Sequence, residues 1–242
     1  MLPDLTALRR RLQLGPIDHR TAGAEAAVLY RAVTGPADTV RRPSGAVAVL
    51  ADTDTLTSFD TIAAAARFAG TLHAACGVAA EIDSRTLGIR HRHDMHFVRV
   101  PVDVQDVTLA AVDAGWRTAR TAVSAAPTTS APATAAAIWR ALLLATTPVR
   151  NTPDLRLRIR DTDLLALAVR SAQILGVPTR ARATSSLGVV SVSANDAVYR
   201  LLERLVPRLP AQRRGVGVRP AGTTRPARTV AAAGPRRPMP IR

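Results

Sequence analysis

The 242-residue sequence contains no lysine, a single cysteine and few aromatic residues. Because Cys76 has no second cysteine to pair with, an internal disulfide is excluded and a small buried side chain is expected there. No apolar run approaches the ~20 residues that a membrane-spanning helix needs. The first residues lack the charged-then-apolar order of a signal peptide, so the sequence predicts a cytoplasmic protein.

Several motifs that carry chemistry are also missing. The sequence has no Gly-rich phosphate loop, no Gly-x-Ser-x-Gly elbow and no pair of cysteines at zinc spacing. It offers no cluster of aromatic side chains on which single-stranded nucleic acid could stack. Trp116, Trp139 and Tyr30 are instead expected to pack in the core.

What the sequence has in excess is arginine. All 33 basic residues are Arg, against 18 acidic residues, which gives a net charge of +15. The exclusive use of Arg indicates a GC-rich coding bias rather than a function. Nine arginines and no acidic residue lie in a Pro- and Gly-rich segment at 208–242, which is predicted to be a disordered basic tail. This charge suits an anionic partner such as nucleic acid; a solvated tail without a partner is the alternative.

The rest of the chain divides into two parts that repeat one order of segments. An Ala/Pro/Ser/Thr-rich segment at 118–134 has the composition of a linker. The predicted domains are a first half at 1–117 with an N-terminal helix, the linker at 118–134, a second half at 135–207 and the tail at 208–242. Each half is predicted to be α-β-α-β-β-α, which indicates an α/β molecule with pseudo-two-fold symmetry.

Apolar periodicity and turn residues give the predicted bounds of these elements. The first half is predicted to hold a helix at 24–36, a strand at 45–54, a helix at 55–70, strands at 72–80 and 96–102, and a helix at 103–116. The second half is predicted to hold a helix at 136–148, a strand at 154–163, a helix at 164–176, strands at 177–184 and 188–194, and a helix at 195–206. Gly70 and Gly176 are predicted to close the second helix of each half.

The triplet Asp-Thr-Asp occurs at 52–54 and again at 161–163, each time before a helical pattern. Paired aspartates can hold a metal ion, but no Glu or His stands at equivalent places in both halves. Asp and Thr also accept hydrogen bonds from the first turn of a helix. The sequence therefore favours a helix N-cap in both places, with a metal site as the alternative.

Alternating arginines mark two strands of the second half. The pattern "LRLRIR" at 155–160 puts apolar and basic side chains on opposite faces, and "TRARAT" at 179–184 repeats the alternation. If the strands are neighbours, one open sheet surface carries five arginines: Arg156, Arg158, Arg160, Arg180 and Arg182. Such a surface could contact phosphates or guanine edges of DNA. The alternative is a pair of edge strands protected by charge against aggregation.

A cluster of imidazoles lies at 89–97, "IRHRHDMHF". His91, His93, Asp94 and His96 fall within six residues, and clusters of this kind can bind Zn²⁺ or Ni²⁺. The corresponding segment of the second half, "TSSLG", has no such residues. A polar hairpin turn is therefore favoured, and no metal or other cofactor is predicted.

Several of these segments resemble a known family. "AGAEAAVLYRAVTGP" (22–36) and "AAAIWRALLLATTP" (135–148) are similar to the two LAGLIDADG helices of the WhiA family of actinobacterial sporulation regulators. The segment from Leu155 to Val206 follows the strand-helix-hairpin-helix of that family in pattern and length. The resemblance covers about residues 1–207. It implies a duplicated domain of the LAGLIDADG homing-endonuclease type.

The resemblance also implies a function, which is DNA binding without cleavage. The metal-binding acids of LAGLIDADG endonucleases correspond here to Thr34 and Thr146, and threonine cannot replace two carboxylates as a Mg²⁺ site. The five sheet arginines would face duplex DNA. The expected protein is a non-enzymatic, nucleoid-associated regulator of transcription, of the sporulation or cell-division type, with no membrane and no small-molecule substrate.

One feature departs from the family pattern. WhiA proteins continue into a helix-turn-helix domain, whereas this sequence continues into the Arg/Pro tail, so sequence-specific recognition is in doubt. The alternative function is a protein–protein interaction module, or a truncated modulator of a full-length regulator that contacts another regulator or an RNA polymerase component. The tail would then give only non-specific association with nucleic acid.

Overall fold

The computed structural model describes residues 5–35, 53–88, 92–124, 129–146, 154–184, 187–193 and 196–205. These residues form a mixed α/β structure with seven helices and two three-stranded sheets. The helices are α1 (Leu5–Leu14), α2 (His19–Thr34), α3 (Ile62–Cys76), α4 (Val102–Ser124), α5 (Ala131–Ala145), α6 (Thr162–Ile174) and α7 (Asp196–Leu205). The strands are β1 (Thr55–Phe59), β2 (Glu81–Leu87), β3 (His93–Arg99), β4 (Leu155–Ile159), β5 (Thr179–Ala183) and β6 (Gly188–Val192).

Helices α2 and α5 pack against each other in the centre of the core. Both are rich in alanine, the best helix former, whose small side chain allows two helices to approach closely. Every residue from Thr134 to Leu144 is buried, so α5 contacts protein on all sides. Trp139 is fully buried and its indole N–H donates to the carbonyl of Ala168 in α6, at 3.2 Å. The predicted core positions of Trp139 and Trp116 are confirmed.

The two sheets share one topology. Their strand orders are β1-β3-β2 and β4-β6-β5, and all neighbouring strands are antiparallel. Each sheet packs one face on the helices: Phe59 of β1 contacts Phe68 of α3, and Leu155, Leu157 and Ile159 of β4 are buried. The opposite face of the second sheet is left for other contacts, whereas in the first sheet Met95 and Phe97 on that face are also buried. None of the helices in the described residues is both long and apolar enough to cross a membrane.

In the second half the predicted elements are found with small shifts of their ends. The predicted strands at 177–184 and 188–194 are β5 and β6, and the predicted helices at 164–176 and 195–206 are α6 and α7. Gly176 has φ +66°, the left-handed conformation that closes α6 as predicted. The predicted strand at 154–163 is shorter, since β4 ends at Ile159 and α6 begins at Thr162.

In the first half two predicted elements are wrong. Residues 55–59, predicted as the start of a helix, form β1, and residues 72–76, predicted as strand, continue α3. Alternation in "TLTSF" follows a strand period, and Thr61 rather than an earlier residue caps α3. Gly70 lies inside α3, which ends instead at Gly77, at φ +74°. Most of the predicted strand at 45–54 lies outside the described residues.

The predicted linker at 118–134 is also corrected. Helix α4 continues to Ser124 and α5 begins at Ala131, so the described part of this segment is helical apart from a turn at 129–130. The apolar side chains explain why: Ala119, Val123 and Ala131 are buried against the core. Pro132 lies in the first turn of α5, where its missing N–H breaks no helical hydrogen bond.

Candidate nucleic-acid interface

The arginines of the second sheet lie in two rows across its outer face. Arg156 pairs with Ser191, which also pairs with Arg180, and Arg158 pairs with Val189, which also pairs with Arg182. Residues directly opposite in an antiparallel sheet point to the same face. Strands β4 and β5 are not direct neighbours, because β6 lies between them. The register still brings their arginines to one surface. Arg160 follows directly after the end of β4. We call these five residues together the arginine face: Arg156, Arg158, Arg160, Arg180 and Arg182.

Most charges of the arginine face are not neutralised. Arg158, Arg160, Arg180 and Arg182 are exposed, and the part of the chain that the structure describes supplies no ion-pair partner for any of them. Arg156 is 3.3 Å from Asp154, but its side chain is 43% exposed, so the pair is weak. The surface therefore presents several guanidinium groups to solvent.

The outer face of the first sheet differs in charge. On the side opposite to Phe59, Arg85 pairs with Asp83 at 2.7 Å and Arg99 pairs with Asp54 at 3.0 Å. The Arg85 guanidinium also lies 5.3 Å from the centre of the Phe97 ring. Acidic partners thus offset the basic residues of this sheet. This face is not apparent from the sequence, in which no strand is predicted at 81–87.

The two Asp-Thr-Asp triplets have different roles. In the second, Asp161 caps α6: its carboxylate accepts from the backbone N–H groups of Asp163 at 2.9 Å and Leu164 at 3.2 Å. In the first, Asp54 pairs with Arg99, while Thr61 caps α3 by accepting from the N–H of Ala64. The N-cap prediction is confirmed for 161–163 and wrong for 52–54. Asp52 lies outside the described residues.

The carboxylate of Asp161 also joins the two halves. It accepts from the guanidinium of Arg31 in α2, with a shortest distance of 2.6 Å. Arg31 lies 4.1 Å from the centre of the Trp116 ring in α4. Both partners of this ion pair are mostly buried, which strengthens their attraction compared with a surface pair. The interaction fixes α2 relative to the start of α6.

Thr34 and Thr146 occupy matching places at the carboxyl ends of α2 and α5. Each hydroxyl donates to the carbonyl four residues earlier in its own helix, at 2.9 Å for Thr34 and 2.6 Å for Thr146. The Arg9 guanidinium donates to the carbonyls of Leu143 and Thr146 at the end of α5. Burial lowers the pKa of Arg9 below its usual value. The guanidinium of Arg9 therefore places a positive charge beside Thr146.

A buried ion-pair cluster in the helical core was not predicted from the sequence. Glu25 of α2 is 0% exposed and its carboxylate accepts from Arg67 of α3 at 2.7 and 3.1 Å, and from Arg140 of α5 at 3.4 Å. One carboxylate therefore serves two guanidinium groups. A lone charged residue in a helical segment usually lies on the surface, so only the packing of α2, α3 and α5 reveals this cluster.

The imidazoles of the predicted hairpin do not converge within the described residues. His91 lies outside them, and His93 and Asp94 are exposed in β3. His96 is three residues from His93, so the two side chains point to opposite faces. The Nδ1 of His96 lies 2.7 Å from the hydroxyl of Ser84, and Asp94 accepts from Thr86. The described ranges contain no group of three or more His, Cys, Asp or Glu that could hold a metal ion.

Comparison with known proteins gives one consistent result. The chain is similar to the crystal structure of the N-terminal LAGLIDADG domain of DUF199/WhiA, with a TM-score of 0.53 and 12% identity over 84% of this chain and 90% of that one. It is also similar to full-length DUF199/WhiA from Thermatoga maritima, with a TM-score of 0.51 and 14% identity over 84% of this chain and 61% of that one.

The chain thus matches less than two thirds of the full-length protein. No family model matches the sequence, and no curated protein matches it. At these identities the similarity establishes the fold and nothing further. The chain therefore has the fold of the LAGLIDADG domain of DUF199/WhiA, as the helices at 22–36 and 135–148 predicted.

Proposed function

We propose that this protein is a non-catalytic, WhiA-like module that binds duplex DNA through the arginine face and serves transcriptional control. The observation that carries the proposal is the register of the second sheet, which collects Arg156, Arg158, Arg180 and Arg182 on one surface. Strands about 4.8 Å apart put the β4 and β5 arginines about 10 Å from each other across the sheet. Arginine is suited to this role because its planar fork can hold two oxygens of one phosphate.

The absence of cleavage is supported by the ends of the two central helices. Thr34 and Thr146 have hydroxyl groups that donate within their own helices and no carboxylate for a divalent metal. The Arg9 guanidinium beside Thr146 would repel such an ion. LAGLIDADG folds also occur in homing endonucleases, and these replacements favour a protein that keeps the binding surface without the metal chemistry.

The proposal includes an internal duplication of the fold. The two sheets have the same strand order, and α2 and α5 each precede one of them. The two copies would then present unequal surfaces, since Arg85 and Arg99 of the first sheet have close acidic partners and most arginines of the second sheet do not. We therefore assign the larger share of DNA affinity to the second half.

The experiment is duplex DNA binding by the full chain over a series of salt concentrations. The sheet variant carries Arg156→Gln, Arg158→Gln and Arg160→Gln. If each arginine displaces about one counterion, this variant lowers the slope of log affinity against log salt by about 2 to 3. Affinity at low salt falls with it.

Two further variants test whether the effect comes from the arginine face or only from the total positive charge of the protein. Arg10→Gln, Arg11→Gln and Arg20→Gln remove the same charge from exposed helical positions and should leave the slope nearly unchanged. A tail variant replaces the nine arginines of 208–242 with Gln. The proposal is wrong if the sheet variant binds like the wild type while the tail variant loses all binding.

A further inference from the structure

A cleft of about 560 Å³ lies where the two central helices begin. Its lining includes Ile17, Thr21, Ala133, Arg140, Leu175 and Arg204. The first turns of α2 and α5 both contribute, so these helices start at the same end of the core. Thr34 and Thr146 lie at the other end of the same two helices. The cleft is therefore separate from the positions of the lost metal site.

The cleft contains positive charge that its surroundings do not neutralise. Arg140 is 7% exposed, its Nε has no hydrogen-bond partner among the described residues, and its bonds to Glu25 and to the Leu205 carbonyl are both long, at 3.4 Å. Glu25 is held more closely by Arg67, at 2.7 Å. The cluster of two arginines and one glutamate thus keeps a net positive charge in a buried place, where attraction to an anion is strong.

Two further charged groups line the cleft. Arg204 of α7 is exposed and adds a second cation, while Asp18 at the start of α2 opposes it. The carboxylate of Asp18 accepts from the N–H of Arg20, which fixes it at the helix cap. The N-terminal dipoles of α2 and α5 also favour negative charge at this end. The two arginines and one aspartate that line the cleft therefore give it a net positive charge.

The remaining walls of the cleft are mostly apolar. Pro16, Ile17, Ala136 and Leu175 provide hydrocarbon surface beside the two guanidinium groups. The volume lies in the range of about 300–1,000 Å³ that is usual for small-molecule sites, which combine apolar walls with a few polar groups. We propose that this cleft binds a small organic anion, with its carboxylate or phosphate at Arg140 and Arg204 and its apolar body against Ile17 and Leu175.

The test is calorimetric titration of the full chain with four probes. Octanoate and octyl phosphate carry both an anionic and an apolar part, whereas 1-octanol lacks the charge and inorganic phosphate lacks the hydrocarbon. We expect saturable binding of octanoate, octyl phosphate or both at a single site, and weaker binding of the two controls by about tenfold or more. Preference for octanoate or octyl phosphate distinguishes a carboxylate from a phosphate ligand.

Variants locate the binding. Arg204→Gln changes an exposed side chain and should weaken the better probe by about tenfold, while Arg200→Gln on the same helix should not. Ala133→Phe fills the cleft from an exposed position and should abolish binding, and Asp18→Asn should strengthen it. Arg140→Met should also abolish binding. If the Arg140→Met protein does not fold, Arg204→Gln and Ala133→Phe still test whether the cleft is the binding site. The proposal is overturned if no probe saturates, if 1-octanol binds equally well, or if Arg204→Gln and Ala133→Phe change nothing.

Discussion

A single side chain, Glu25, connects three helices of the core. Its carboxylate accepts from Arg67 and Arg140, and all three residues are at least nine-tenths buried. Removing one partner of a buried ion pair costs more than the pair contributes, because the remaining charges keep their desolvation penalty. Here the loss of one carboxylate would leave two guanidinium groups in the core.

We therefore predict that Glu25→Gln lowers the free energy of unfolding by about 3–5 kcal/mol. Urea denaturation followed by the fluorescence of the buried Trp116 and Trp139 would measure the change. The control is Glu203→Gln on the exposed side of α7, for which we expect a change within about 0.5 kcal/mol. Equal effects of the two substitutions would contradict a stabilising role for the buried cluster.

The contacts of residues such as Glu25 could not be predicted from the sequence. The alternation of Arg156, Arg158 and Arg160 with apolar neighbours was visible, and the structure confirms that the apolar side chains are buried. The pairing of Glu25 with Arg67 and Arg140, across 42 and 115 residues, was not visible. Local patterns contain no information on which charged residues meet across such distances.

At the scale of elements, α2 packs against α4 at a point where Gly23 and Gly115 meet. A methyl group at Gly115 of α4 would lie 2.1 Å from the carbonyl oxygen of Gly23, which no side-chain motion can relieve. A methyl group at Gly23 would meet its nearest atoms at 3.7 and 3.9 Å, which is ordinary contact. The two positions should therefore respond differently to the same substitution.

We predict that Gly115→Ala destabilises the protein by about 1–3 kcal/mol through overpacking. Gly23→Ala should be neutral, or stabilise by up to about 1 kcal/mol, because alanine has the higher helix propensity. Thermal unfolding followed by circular dichroism measures both variants under the same conditions. A Gly115→Ala variant as stable as wild type would mean that α2 and α4 are not in backbone contact at this point.

The elements themselves were predicted better in the second half than in the first. Strands β4, β5 and β6 show clear alternation, and glycine closes α6 where expected. In the first half, alanine-rich segments such as 62–66 fit a helix beginning at several points, so the strand β1 was assigned to the helix that follows it. The polar strand β2, "EIDSRTL", is held by its pairing with β3 rather than by its own apolar pattern.

At the scale of the whole molecule, the two sheets have one topology and different surfaces. The first neutralises its charges in the pairs Arg85–Asp83 and Arg99–Asp54, whereas the second exposes the arginine face. Both β4 and β5 are edge strands, so protection against edge-to-edge aggregation is the alternative explanation of their charge. If the charge served only to prevent aggregation, DNA would not be expected to contact the arginine face in preference to other surfaces.

The most direct measurement is photo-crosslinking of the full chain to duplex DNA from one position at a time. A photoreactive phenylalanine analogue at Val189, between Arg158 and Arg182 on the outer face, reports contacts of the arginine face. The same group at Ala133, an exposed residue in the first turn of α5, is the matched control. We predict strong crosslinking at 189, lost at high salt, and little at 133. Equal crosslinking at both positions, or crosslinking at 133 alone, would contradict DNA binding by the arginine face.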